Sequence, residues 1–293
     1  MIVRTIGLGK RFGAHVALDA VDLAVPDGSV YGLVGPNGAG KTTLLALLAG
    51  LRRPTSGEVR IGVERSHMAV LPDTPQFDPW LTGREVVALA AALVAPDLPA
   101  SRVDDVLRDA GLKEAAGRPV GGYSRGMLQR VGLAATVVGD PSLLLLDEPA
   151  SALDPAGRRE VLDLIEQLRG HATVVLSSHM LADVQEVCDT VGILRSGKLL
   201  YQGPLESLLV GRAVPAYRVH LREPVAPVVT ALDGEDWVTG LEPTGDGWLR
   251  VSVRSLAEAE SQLAKVLAGC GARVVSLAPQ AADLEDVFLE LTS

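Results

Sequence analysis

An α/β fold with a mainly parallel sheet, followed by a small α+β C-terminal domain, is the architecture this sequence predicts. Three observations carry that expectation. Continuous apolar runs at residues 29–34, 143–146 and 173–176 read as strands buried on both faces, with helical patterns between them. Residues 80–140 interrupt the alternation with helix-like sequence alone, which marks a helical subdomain inserted into the α/β core. Beyond residue 203 the character changes. From residue 213 onward there are six basic against twelve acidic side chains, about −6 of the total −9. A chain of 293 residues accommodates two domains, with expected limits of 1–210 and 211–293.

The elements can be justified in order. Residues 29–34 form the first buried strand, and residues 43–49 the helix behind it, ending at Gly50. Thr82-Gly83-Arg84-Glu85 reads as a capping box opening an Ala/Val/Leu-rich helix. Residues 127–138 are a further helix, and 143–146 and 173–176 are buried strands. Residues 191–203 look like a hairpin turning at Ser196-Gly197, and Pro204, Gly211 and Pro215 punctuate an expected linker. The acidic region then runs strand 217–221, helix 225–232, strand 237–242, a Gly245-Asp246-Gly247 turn, strand 248–253, helix 257–268, strand 273–277 and helix 283–291. That βαββαβ order suits a ferredoxin-like domain.

Composition narrows the function classes. Hydrophobic residues make up 47% and charged residues 22%, which excludes disorder and collagen-like repeats. The net charge of −9 disfavours a surface that tracks nucleic-acid phosphates, so no nucleic-acid partner is expected. Cys188 and Cys270 lack metal-ligand spacing and form no disulfide framework, which points to a reducing cytoplasm. The first residues have no signal-peptide pattern, and the apolar runs fall short of the roughly 20 residues a membrane span needs. A soluble, cytoplasmic protein is expected.

The chemistry concentrates in two motifs. Gly35-Pro36-Asn37-Gly38-Ala39-Gly40-Lys41-Thr42 fits G-x-x-x-x-G-K-[ST], directly after a strand and before a helix. Its glycines let backbone N–H groups wrap phosphates at a helix N-terminus, with Lys41 reaching the β- and γ-phosphates and Thr42 holding Mg²⁺. The positions expected to hold the nucleotide here are Gly35, Asn37, Gly38, Gly40, Lys41, Thr42 and Thr43. Leu143-Leu144-Leu145-Leu146-Asp147-Glu148 is the second half of such a site. A buried strand would bring Asp147 to the sheet edge as a Mg²⁺ ligand, and Glu148 would accept a proton from water beside the γ-phosphate. The Asn/Thr-Lys-x-Asp pattern that reads guanine is absent, so ATP is the expected nucleotide.

On these motifs and their order, residues 1–205 resemble the nucleotide-binding subunit of ABC transporters. The resemblance implies a P-loop NTPase core with N-terminal antiparallel strands. Ser151-Ala152-Leu153-Asp154 is similar to the family's D-loop, with Asp154 at its end, and Ser178-His179 to its switch histidine, which contacts the γ-phosphate. Phe12 matches the aromatic position that stacks on adenine. The family signature Leu-Ser-Gly-Gly-Gln corresponds to Tyr123-Ser124-Arg125-Gly126-Met127, where Ser124 and Gly126 are kept. Ser-Arg/Lys-Gly-Met variants occur in the branch of two-component drug, antibiotic and lipid exporters. The family's Leu-Pro-Gln is Leu71-Pro72-Asp73, with Gln76 three residues on; either Asp73 or Gln76 fills that role, and Asp73 would orient Mg²⁺-bound water. Pro79-Trp80-Leu81-Thr82 opens the helical insertion, and Trp80 suits either a contact with a membrane subunit or the core. Asp283-Leu284-Glu285-Asp286-Val287-Phe288 is similar to the closing segment of the same branch.

The function implied is ATP-driven export. A second copy of the chain would sandwich two ATP molecules, and an integral membrane permease on a separate chain would form the channel. The protein would then lie on the inner face of the cell membrane. Two other readings stand beside it: a soluble ABC ATPase acting on the ribosome or DNA, and an import ATPase with a regulatory C-terminal domain.

Overall fold

The computed structural model describes residues 1–151, 153–212, 215–222, 224–280 and 284–292. The chain forms two compact units, Met1–Leu205 and Glu206–Ser293.

The first unit opens with strands β1 (Val3–Phe12), β2 (His15–Val21) and β3 (Ala24–Val25), followed by β4 (Val30–Val34), helix α1 (Lys41–Leu48) and β5 (Ser56–Ile61). β1 pairs antiparallel with β2, β3 and β5, so these strands make a separate antiparallel sheet. Next come β6 (Met68–Leu71) and the helical insertion α2 (Gly83–Val94), α3 (Ala100–Asp109) and α4 (Arg125–Val137). The chain returns through β7 (Leu143–Asp147), α5 (Pro155–Gln167), β8 (Thr173–Ser178), α6 (Leu181–Val187), β9 (Thr190–Arg195) and β10 (Lys198–Pro204).

The main sheet has the order β10-β9-β4-β8-β7-β6, parallel from β9 to β6. Period-two alternation explains why its central strands are apolar throughout. Leu143 and Leu145 of β7 join the core shared with α1 and the N-terminal sheet, together with Tyr31, Leu33, Leu44 and Leu194. The opposite face of β4 meets α6, where Gly32 lies so close to Val184 and Cys188 that a Cβ would stand 2.5 Å from Val184. The β9–β10 pair is antiparallel, and Ser196 and Gly197 both have positive φ, +48° and +78°, as a two-residue hairpin turn matching strand twist requires. In α2, Thr82 accepts from the Glu85 N–H while Glu85 accepts from the Thr82 N–H, which completes the predicted capping box. The hydrogen bonds from Thr82 hold the Glu85 carboxyl below the usual carboxylate range.

The second unit begins with helix α7 (Leu205–Arg212), where the sequence suggests a linker. It continues as β11 (Ala216–Leu221), α8 (Ala226–Leu232), β12 (Val238–Pro243), β13 (Trp248–Val253), α9 (Leu256–Gly269), β14 (Val274–Gln280) and α10 (Leu284–Thr292). Its sheet is antiparallel with the order β12-β13-β11-β14. In sequence rank that order is 2-3-1-4, the ferredoxin-like arrangement the element pattern predicts. Val219, Leu221, Leu249, Val251 and Val253 pack there against Val228 and Leu232 of α8 and Leu263 and Leu267 of α9.

Candidate functional site

Strand order builds the site. Because β4, β8 and β7 are consecutive parallel neighbours, the segments leaving their carboxyl ends emerge side by side. These segments carry Gly35–Lys41, His179 and Glu148 respectively.

The glycine-rich loop leaves β4 through Gly35, where a Cβ would stand 2.2 Å from the Leu194 carbonyl oxygen, so no larger residue fits. It ends at Gly40, the N-cap of α1, with φ +109°, a conformation open to glycine. Asn37, Gly38 and Thr42 are exposed, and Thr43 is half-buried. Lys41 is buried, and its Nζ donates to the Gly35 carbonyl at 2.6 Å while lying 3.5 Å from Glu148 Oε1.

Glu148 stands at the centre of the cluster. Its other oxygen, Oε2, is 2.7 Å from His179 Nδ1. Its backbone is left-handed, φ +50°, a conformation that costs a non-glycine residue about 1–2 kcal/mol. Two acceptors of Ser177 hold it there: the Glu148 N–H donates to Ser177 Oγ at 3.0 Å and to the Ser177 carbonyl at 3.2 Å. Ser177 Oγ in turn donates to Asp147 Oδ1 at 2.5 Å, with both side chains buried. Behind them Asp183 of α6 is 4% exposed, and burial pushes its carboxyl above the usual carboxylate range. Arg158 Nε, donating to Asp183 Oδ1 at 2.5 Å, opposes that rise and ties α5 to α6.

The structure thus brings Lys41, Glu148 and His179 into direct contact and joins Asp147 to them through Ser177. No motif singles out Ser177; its signal is only a hydroxyl two residues before the histidine, on the strand beside β7. Asp73 is half-buried, and Ser151 Oγ donates to its Oδ1 at 3.5 Å, which connects the segment after β6 with the segment after β7. Gln76 is exposed. Asp154 is the N-cap of α5 and accepts from the Gly157 N–H at 3.0 Å, with Pro155 opening the helix. Ala152, between Ser151 and Asp154, lies outside the described residues, as does Asp283 in the C-terminal segment.

Four expected positions take no part in these contacts. Ser124 caps α4 and accepts from the Met127 N–H at 3.2 Å, and Gly126 lies in the helix's first turn, half-buried. Phe12 ends β1 and is 41% exposed, with Lys10 Nζ and Arg52 Cζ 5.1 and 5.2 Å from its ring centre. Trp80 is 69% exposed, which removes it from the core.

Among the described residues no three His, Cys, Asp or Glu side chains cluster to cage a metal ion. The hard oxygen donors Asp147 and Thr42 instead fit Mg²⁺, an ion that completes its shell with phosphate oxygens and water.

Known proteins show the same organisation. Residues 18–151 match the family model described as ABC transporter. An uncharacterized ABC transporter ATP-binding protein of Bacillus subtilis, YxlF, is 39% identical over 74% of this chain and 75% of its own. The daunorubicin resistance ATP-binding protein DrrA3 of Streptomyces coeruleorubidus is 32% identical over 98% of this chain and 94% of its own. A solved structure of the ATP-binding subunit of an ABC transporter superposes with a TM-score of 0.66 at 28% identity, covering 72% of this chain and 93% of that one. With this likeness spanning the glycine-rich loop, the strand that ends in Asp147 and the fold around them, the chain belongs to the ABC transporter family, among its ATP-binding proteins.

Proposed function

We propose that this chain is the ATP-hydrolysing subunit of a two-component exporter. The observation that carries the reading is the convergence of Lys41, Asp147, Glu148 and His179 beside a glycine-rich loop at the carboxyl edge of one parallel sheet.

In this reading Gly35, Asn37, Gly38, Gly40 and Thr43 surround the phosphates with backbone and hydroxyl donors at the N-terminus of α1. Phe12 stacks on the adenine. Lys41 places its charge on the β- and γ-phosphates, which draws it away from Glu148. Thr42 and Asp147 would hold Mg²⁺, with Asp73 placed to orient water beside it, and the bound ion would supply charge neutralisation at the phosphate oxygens. Glu148, still oriented by His179, accepts a proton as water attacks the γ-phosphorus, and ADP leaves with its β-oxygen freed. His179 is positioned to contact the γ-phosphate from the segment after β8.

Each chain carries one copy of these motifs. Ser124, Gly126 and Asp154 lie outside the contact network of their own site, which suits a role toward the nucleotide of a second copy. ATP would then favour the closed pair, and hydrolysis would release it. No described helix is long and apolar enough to cross a membrane; in this reading a separate permease supplies the channel. Trp80, Leu89, Leu93 and Val94 form an exposed apolar set on the helical insertion that suits contact with it. The likeness to a daunorubicin resistance protein supports drug-like cargo, and through such a permease the chain would lie on the inner face of the cell membrane.

The test is Glu148→Gln, which keeps shape but removes the proton acceptor. Phosphate release should fall by about 10²–10⁴, the usual contribution of a general base. The variant should also accumulate as an ATP-bound dimer by size exclusion in Mg·ATP. Unchanged hydrolysis would remove Glu148 as the base, and a monomeric variant at saturating ATP would remove the sandwich from the isolated chain.

A further inference from the structure

Ser177 makes contacts out of proportion to its size. It is fully buried near the end of β8, between the strand that carries Asp147 and the segment that carries His179. Its hydroxyl has one proton to give, and gives it to Asp147 Oδ1 at 2.5 Å. The lone pairs then face the Glu148 N–H at 3.0 Å, and the Ser177 carbonyl accepts from the same N–H at 3.2 Å. One residue therefore fixes the carboxylate on one side and the backbone of the base on the other.

We propose that Ser177 is a positioning residue for cation binding and water activation, an inference that rests on the roles given above to Asp147 and Glu148. The bond to Oδ1 fixes the plane of the carboxylate, leaving Oδ2 for the cation. The two bonds from the Glu148 N–H hold the left-handed backbone that directs its carboxylate between Lys41 and His179. Without the hydroxyl, Asp147 loses its fixed plane and Glu148 keeps the carbonyl bond alone. Hydrogen-bond partners of metal-binding carboxylates typically contribute about 10–100-fold to metal affinity or activity.

The experiment compares the full-length chain with Ser177→Ala and Ser177→Thr. N-methylanthraniloyl-ADP is titrated in EDTA and at increasing MgCl₂, beside phosphate release from ATP. Ser177→Ala should bind the probe in EDTA as the unaltered chain does. It should need roughly 10–100-fold more Mg²⁺ for tight binding and lose a similar factor in kcat at saturating ATP. Ser177→Thr keeps the hydroxyl and should recover most of both. An unchanged Mg²⁺ midpoint and kcat in Ser177→Ala would overturn the proposal. Equal weakening in EDTA and in Mg²⁺ would also overturn it, because that result describes a merely structural serine. Should Ser177→Ala melt before assay, Ser177→Cys, which keeps the volume and weakens the donor, is read by the same outcomes. Failure of the unaltered chain to bind the probe, or wild-type binding by Lys41→Ala, would instead overturn the nucleotide-site reading.

Discussion

Lys41 shows how one side chain can be both stored and used. Its Nζ is satisfied by the Gly35 carbonyl at 2.6 Å and by Glu148 at 3.5 Å, so a buried cation is kept without strain or solvent. Lys41→Ala removes that charge and leaves Glu148 with His179 as its remaining partner. In the proposed complex Lys41 pairs with the phosphates, and truncating one partner of such a buried charged contact costs about 2–5 kcal/mol, so affinity for labelled ADP should fall by more than about tenfold. Fluorescence titration of the variant checks this, and hydrolysis should be lost with it. Two motifs made Lys41 and Glu148 legible in sequence: the loop pattern constrains four positions at once, and a four-leucine run leads directly into Asp147-Glu148. Ser177 was not legible, since its partners are set by the β7–β8 register, which pairs Asp147 with Ser177. A hydroxyl before a histidine carries no such information on its own.

Elements follow the same rule, that a signal is legible where one constraint dominates. β4, β7 and β8 are buried on both faces, so their apolar runs were unmistakable. β5 is mostly exposed, and no apolar run announces it. The linker expectation failed at α7 because Pro204 and Pro215 flank the helix instead of interrupting it, and Leu205 and Leu208 supply a buried side. Packing also decides what a glycine in a helix is worth. In α4, a Cβ on Gly132 would stand 2.8 Å from Leu71 Cδ1 and 3.0 Å from Pro75 Cγ. In α9, a Cβ on Gly269 meets nothing within 4 Å. Gly269→Ala should therefore stabilise by about 0.4–1 kcal/mol. Gly132→Ala should destabilise by about 1–3 kcal/mol, by pushing α4 off the segment that leads to Asp73. Denaturant midpoints of the two variants should move in opposite directions.

At the scale of the whole chain, each of the two units has a hydrophobic core of its own. Among the described residues, the core beneath the site draws its buried members from Ile2 to Leu194. Among the described residues, the ferredoxin-like core has its buried members between Tyr217 and Leu267. The described contacts that fix Lys41, Asp147, Glu148 and His179 are likewise made within Met1–Leu205. A chain ending after Arg212 should therefore remain folded and bind labelled ADP within about twofold of the full protein, since domains with their own cores fold alone. Calorimetry should resolve a second transition in the full chain that the fragment lacks, carrying the smaller enthalpy because unfolding enthalpy scales with residue number. An aggregated fragment, or a single transition shared by the whole chain, would mean that the acidic unit completes the first core and is not an independent accessory to it.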